Sequence, residues 1–250
     1  MFLGQRIGIV IPARNEESAI GLVVSELWAQ CNASGQSLVD EIVVADNGSQ
    51  DNTSKVAKDA GAQVVYQPVA GYGHACVKAI AALGAVDIVV FIDGDHAFFA
   101  KDLTLLLTPL AQGADFVFGT RTLGRAETGA LTPQQKWGNR LAVYLIRWLW
   151  EYQYTDLGPF RAMRREHFNT LDMCELTYGW TVEMQIKALQ AGLQVCEVPV
   201  NTRVRIGQSK VSGTLKGSIG AGFGILSTIA KLCWQSSRIS LGINARKPCG

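Results

Sequence analysis

The chain predicts an α/β protein built on a largely parallel central sheet with helices on both faces. Three observations carry that expectation. Short runs rich in Val and Ile recur along the first half without the polar alternation of a half-solvated strand. Segments of helical length and pattern separate them. Of the 250 residues, 48% are hydrophobic and 18% charged, which supplies a sizeable core and excludes a disordered chain.

The strands of the first half are expected at Arg6–Ile11, Glu41–Ala45, Gln63–Gln67, Asp87–Ile92 and Asp115–Gly119. Helices are expected at Glu17–Ala29, Asn52–Ala60 and His74–Leu83, with a shorter one at Asp102–Leu110. The second half is less regular. Phe160–Arg164 and Val195–Asn201 read as strands, and Gln134–Glu151, Val182–Gln190 and Lys216–Trp234 as helices, the last weakened by its glycines. No repeat or low-complexity linker divides the chain, so residues 1–250 are read as one domain.

Composition narrows the class further. The 26 glycines follow no collagen-like period, and the six cysteines form no CxxC pair, which argues against a disulfide scaffold or a structural zinc site. The start of the chain lacks a basic leader with a cleavage site, and no apolar run reaches the roughly 18 residues of a membrane span. The expected location is the cytoplasm, with peripheral contact on the cytoplasmic face of a membrane as an option. Charge is unevenly placed: residues 1–135 carry 8 Lys/Arg against 14 Asp/Glu, and residues 136–250 carry 15 against 7. A basic second half implies an anionic partner, whereas the acidic first half argues against nucleic acid.

In open α/β sheets ligands gather beyond the carboxyl ends of the strands. Three exits here are polar: Ile11-Pro-Ala-Arg-Asn-Glu-Glu17, Ala45-Asp-Asn-Gly-Ser-Gln-Asp51 and Phe91-Ile-Asp-Gly-Asp-His96. Asp93 and Asp95, flanking Gly94, can share a hard divalent cation such as Mg2+ or Mn2+; alone, the same residues also read as an Asp-Gly turn. Asp46 can accept from a nucleobase, while Asp51 or Asn52 caps the next helix. Pro12 fixes the first exit, and Glu16 and Glu17 suit the first turn of a helix. Gly71-Tyr72-Gly73-His74 reads either as a turn entering a helix or as a loop approaching a diphosphate.

As an ordered set, Ile11–Glu17, Val44–Asp51, Gly71–Gly73 and Asp93–Asp95 resemble the family 2 glycosyltransferases of GT-A fold. Thr155–Arg161 and Tyr178–Glu183 extend the likeness more weakly, toward the branch of dolichyl-phosphate mannose and glucose synthases. The resemblance implies a donor half at 1–120, an acceptor half at 121–235 and a basic tail at 236–250. Its nucleotide-sugar residues would be Pro12, Ala13, Asn15, Glu16, Asp46, Gly48, Gly71, Tyr72, Gly73, Asp93 and Gly94. Asp93 and Asp95 would hold Mg2+ or Mn2+ and the diphosphate of a UDP- or GDP-linked sugar. One departure is His96-Ala97, where many polyprenyl-phosphate members have Leu-Gln; His96 is either a surface group or fills part of the metal's surroundings.

The acceptor half offers two chemistries. A phosphate acceptor is already anionic and needs orientation by basic groups, here Arg121, Arg140, Arg161, Arg203 and Arg205, with Lys210 near in sequence. A hydroxyl acceptor needs a carboxylate base, for which Asp156 and Glu183 are the candidates; Glu183 alternatively complements a helix dipole. Trp180 reads as packing or as a sugar-stacking ring. A polyprenyl phosphate at the membrane face is the favoured acceptor, a soluble hydroxyl the alternative, and a non-catalytic lipid-binding module a more distant one. A nucleotidyltransferase is disfavoured because Pro12–Glu17 is acidic and lacks glycine. Apolar residues recur at helical spacing in Trp137, Leu141, Tyr144, Leu145, Trp148 and Leu149, and again in Ile219, Phe223, Leu226, Ile229 and Cys233. The preferred reading buries both faces in the domain; the other places them against a lipid monolayer.

Overall fold

The computed structural model describes residues 2–207 and 215–239; Lys210 and the end of the basic tail, 240–250, lie outside the described residues. Seven strands form one sheet: β1 Ile7–Ala13, β2 Glu41–Asp46, β3 Gln63–Tyr66, β4 Ile88–Phe91, β5 Phe116–Thr120, β6 Arg161–Arg164 and β7 Val195–Pro199. Their order is β3-β2-β1-β4-β6-β5-β7. All neighbours run parallel except β6, which is antiparallel to both β4 and β5.

Strand residues divide by parity between two cores, as the period of two requires. Ile7, Ile9, Ile11, Ile42, Val44 and Val90 face one cluster. Val10, Val43, Ala45, Val89 and Phe91 face the other. Because both faces are covered, strands β1, β2, β4 and β5 read as unbroken apolar runs. The first face is covered by α1 (Ile20–Trp28), α2 (Thr53–Asp59) and α4 (Leu103–Ala111). The second is covered by α3 (Tyr72–Ala82), α5 (Pro133–Trp150), α7 (Trp180–Gln190) and α8 (Leu215–Ile239); α6 (Arg165–Thr170) follows β6 directly.

Several boundaries shift for identifiable reasons. Helix α1 begins at Ile20 rather than Glu17 because Asn15 has a left-handed backbone (φ 52°) and both glutamates are drawn elsewhere. Glu17 accepts from the backbone and side chain of Asn52 (2.9 and 3.1 Å), and Glu16 pairs with Arg205. Neither serves as a helix-dipole partner. Ahead of α2 it is Asp51, not Asn52, that accepts from the first helical N–H, that of Thr53 (3.0 Å). Helix α5 starts one residue early, on a capping box between Thr132 and Gln135 with Pro133 at the first helical position.

The two amphipathic helices meet the preferred expectation only in part: Leu145 and Leu149 of α5 and Ile229 of α8 pack into the core, and the aromatic residues of the expected faces do not. On α5 the buried residues are Ala142 and Ile146, while Trp137, Tyr144 and Trp148 point outward, Trp148 with 71% of its surface exposed. On α8, Ile229 and Leu232 are buried, whereas Phe223 is 75% exposed and Leu226 and Trp234 are also outside. The Ile219 side chain lies outside the described residues. The aromatic residues thus lie opposite the faces that pack.

Candidate active site

The carboxyl ends of β1, β2 and β4 open on one side of the sheet, where a cleft of about 400 Å³ forms. Its floor is Asp93-Gly94-Asp95, which leaves β4 beside the Pro12-Ala13 end of β1. Gly94 is packed tightly: a β-carbon there would lie 3.1 Å from Ile20 and 3.3 Å from Ile11. Asp95 is held by the Ala97 N–H, which donates to Oδ1 (3.0 Å), and by Arg205, 3.2 Å from Oδ2. Asp93 accepts from the Tyr72 hydroxyl (3.0 Å). Burial and the neighbouring charge of Asp95 push the Asp93 carboxyl up to about 7, against the Tyr72 hydrogen bond and the more distant Arg205 and Arg121.

Two carboxylates lining one cleft, Asp93 raised by burial and by the charge of Asp95, are hard oxygen donors of the kind that suits Mg2+ or Mn2+. Among the described residues no third Asp, Glu, His or Cys joins them. His96 turns away: with a left-handed backbone (φ 62°), its Nε2 meets Glu26 at 2.8 Å.

The donor-side residues expected from sequence divide into those that reach the cleft and those that support it. Pro12, Ala13, Glu16, Gly71, Tyr72, Asp93 and Gly94 line it. Asp46 does not: its carboxylate accepts from the Ser49 N–H (2.8 Å) and the Ser54 hydroxyl, closing the loop after β2. Gly48 allows the left-handed turn in that loop (φ 76°), and Asn15 stitches it to the first loop by accepting from the Gln50 N–H (2.8 Å). Asn47, given no role by the sequence, lines the cleft and bonds the next loop, donating to the carbonyls of Gln67 and Val69 and accepting from the Gly71 N–H (2.8 Å).

Gly71 and Gly73 meet the acceptor half backbone to backbone. A β-carbon on Gly73 would lie 2.6 Å from both the Glu175 carbonyl oxygen and the Leu176 Cα, and the His74 N–H donates to the Leu176 carbonyl (2.9 Å). No side chain fits there. Gly73→Ala is expected to destabilise the protein by about 1–3 kcal/mol and to weaken nucleotide binding; unchanged melting temperature and nucleotide affinity would contradict the contact.

The acceptor-side set is the most rearranged. Arg121 lines the cleft but is held by Asp156, with Nε to Oδ2 at 2.8 Å and Nη2 to Oδ1 at 2.7 Å. Although burial acts the other way, this pairing holds Arg121 above its ordinary value. Asp156, fully buried, also accepts from the backbone of Arg121 and Leu157, so it is a clamp with its oxygens committed. Glu183, likewise buried, accepts from the N–H groups of Cys174 (3.0 Å) and Glu175 (2.7 Å) and pairs with Lys187 (3.1 Å). It fixes the 172–178 loop, which presents Thr177 and Tyr178 to the cleft.

Arg161 is in the core, donating to the Thr181 and Gly158 carbonyls, and Trp180 is buried among Phe91 and Phe168. Arg140 is exposed on α5, outside the cleft lining. Arg203 bonds Glu26 (2.8 Å) and the His96 carbonyl (2.7 Å), over the Phe99 ring. Of the arginines expected to face the acceptor, only Arg121 and Arg205 line the cleft; Arg14, not anticipated, joins them.

The family model described as Glycosyl transferase family 2 matches residues 8–172. The chain belongs to that family. This family 2 chain is 34% identical over 221 residues to an uncharacterised glycosyltransferase of Mycobacterium tuberculosis, covering 86% of this chain and 94% of that protein. It is 30% identical over 230 residues to the dolichyl-phosphate hexose transferase of Haloferax volcanii, covering 92% and 94%. Among solved structures it resembles the glucosyl-3-phosphoglycerate synthase of M. tuberculosis in complex with Mn2+, uridine diphosphate and glucosyl-3-phosphoglycerate. That likeness has a TM-score of 0.74 and 26% identity, covering 92% of this chain and 81% of that one. The fold is the GT-A arrangement, and the protein is an enzyme of the glycosyltransferase class.

Proposed function

We propose that this family 2 enzyme transfers a hexose, with inversion, from a UDP- or GDP-linked sugar to a polyprenyl phosphate at the cytoplasmic face of a membrane. The observation that carries the acceptor class is the commitment of Asp156 and Glu183 to arginine, lysine and backbone partners. Neither is placed to deprotonate a hydroxyl, and a phosphate monoester needs no such base. In this reading Pro12, Ala13 and Glu16 border the nucleoside, and Asp93 and Asp95 hold Mg2+ or Mn2+. Bound there, the cation stabilises charge growing on the departing nucleoside diphosphate. Arg121, fixed in orientation by Asp156, and Arg14 direct positive charge into the cleft toward the acceptor phosphate.

The lipid component is supported by the exposed apolar side chains of two helices, Trp137, Tyr144 and Trp148 on α5 and Phe223, Leu226 and Trp234 on α8. The two helices pack together. Gln135 of α5 lines the cleft, and Tyr178, also lining it, lies against Gly220 and Gly224 of α8. In this reading the isoprenoid chain lies against these exposed side chains while its phosphate enters the cleft. Among the described residues no helix is long and apolar enough to cross a membrane. The name of the H. volcanii relative accords with such an acceptor.

The deciding experiment presents labelled UDP- and GDP-hexoses with Mn2+ to a short polyprenyl phosphate and, separately, to hydroxyl acceptors. Label extracted with the polyprenyl phosphate supports the reading; transfer solely to a hydroxyl overturns it. Replacing Trp137, Tyr144 and Trp148 together with Ser should reduce cosedimentation with anionic vesicles several-fold while leaving the melting temperature nearly unchanged, since all three are exposed. Equal sedimentation would remove α5 from the interface.

A further inference from the structure

Arg205 stands where a cation is needed. Its Nη1 lies 3.2 Å from Asp95 Oδ2 and its Nη2 donates to Glu16 Oε1 at 3.0 Å, so one guanidinium spans two acidic strand exits. Backbone pairing sets it there. The segment after β7 runs antiparallel to the residues after β4, with the Arg203 N–H donating to the Ala97 carbonyl and the Ile206 N–H to the Asp95 carbonyl, both at 3.0 Å. Glu16 and Asp95 are both buried, which strengthens these pairs relative to surface ion pairs.

The guanidinium is nevertheless incompletely satisfied. Arg205 Nε is buried without an acceptor, and so is the Thr202 hydroxyl, three residues earlier on the same cleft wall. Both residues line the cleft, and each holds a buried polar atom with no partner in the fold; a small turn of either side chain would present it to a phosphate, which accepts several hydrogen bonds. Arg205 and a divalent ion cannot both hold Asp95 closely, because their charges repel and they compete for the same carboxylate.

We infer that Arg205 is a resident counter-cation for Asp95, which yields that carboxylate when a divalent ion binds and turns its guanidinium, with Thr202, to a phosphate of the bound ligand. The inference deepens the proposed function and rests on its Asp93–Asp95 metal site. It makes Arg205 a binding residue with two opposed effects: against the metal alone, and in favour of the phosphate ligand.

Calorimetric and Mn2+-EPR titrations of wild type and Arg205→Gln test this, with thermal melts as the control for folding. Arg205→Gln should bind Mn2+ alone about three- to tenfold more tightly. At saturating Mn2+ it should bind a phosphate ligand about tenfold more weakly. Loss confined to UDP or GDP assigns the phosphate to the donor; loss confined to farnesyl phosphate assigns it to the acceptor. Thr202→Val should share the second effect and not the first, and Arg205→Lys should restore wild-type Mn2+ affinity. Mn2+ binding to Arg205→Gln that is unchanged or weaker overturns the inference, as does undiminished binding of every phosphate ligand. If wild type binds Mn2+ and nucleotide yet Arg205→Gln shows no such split, this inference alone fails; if wild type binds neither, the proposed function fails with it.

Discussion

Asp95→Asn should abolish hexose transfer, lowering turnover by at least about a thousandfold while the protein remains folded. The amide keeps the size of the side chain but loses the charge that Asp93 and Asp95 need to retain a divalent ion. Arg205 would still have Glu16 as a partner, so the melting temperature should change little. The same site gives a pH test. Asp93, raised from the usual carboxylate value of 3.8 to about 7 by burial and by Asp95, holds its proton more strongly folded than unfolded. Its contribution to metal-free stability is therefore fully present below about pH 4 and is lost as pH rises through about 7. Metal affinity runs the other way, because the cation competes with that proton, and it should fall by up to about tenfold between pH 7 and pH 6. Melts in EDTA and Mn2+ titrations, each compared with Asp93→Asn, check both slopes. An equal pH dependence in the two proteins would show that Asp93 does not titrate there.

Asp156→Ala should cost about 3–5 kcal/mol of stability and lower the melting temperature by about 10 °C. The carboxylate is buried and receives two bonds from the Arg121 side chain and backbone bonds from Arg121 and Leu157. Its removal leaves a largely buried guanidinium and two N–H groups without their acceptor. Were Asp156 a catalytic base, the pattern would differ: Asp156→Ala would lose turnover with its melting temperature nearly intact. Differential scanning calorimetry alongside transfer assays separates the two. A fall in melting temperature below about 2 °C would refute the clamp.

How much of this was legible depends on the type of signal. Strands β1, β2, β4 and β5 are buried on both faces, so composition alone marks them, and the polar exits follow from where those runs stop. The Asp93-Gly94-Asp95 turn could be read because its chemistry is local. Direction could not: nothing within Arg161–Arg164 says that β6 runs against its neighbours, since orientation depends on partners far away in the chain. Side-chain commitments were hidden for the same reason. Asp156 and Glu183 both read as candidate bases, but their partners lie 35 residues away and in the preceding loop; the other reading of Glu183, as a helix-dipole partner, agrees with its place in the first turn of α7. The aromatic residues of α5 misled through periodicity, which identifies a face without saying whether protein or something else covers it. Asn47 sat between two more conspicuous residues, and only its reach to Gln67, Val69 and Gly71 shows its role in linking loops.

The antiparallel β6 has a practical consequence for anyone wishing to exchange specificities. The strand that delivers Asp93 and Asp95 is flanked by β1 on one side and, on the other, by a segment from well past residue 120. A chimera joined at that point would receive β4 with one border foreign to it and leave β5 severed from its own neighbour. Donor preference is thus not a cassette carried by the amino-terminal half; grafts must include the chain through β6 or be limited to individual loops.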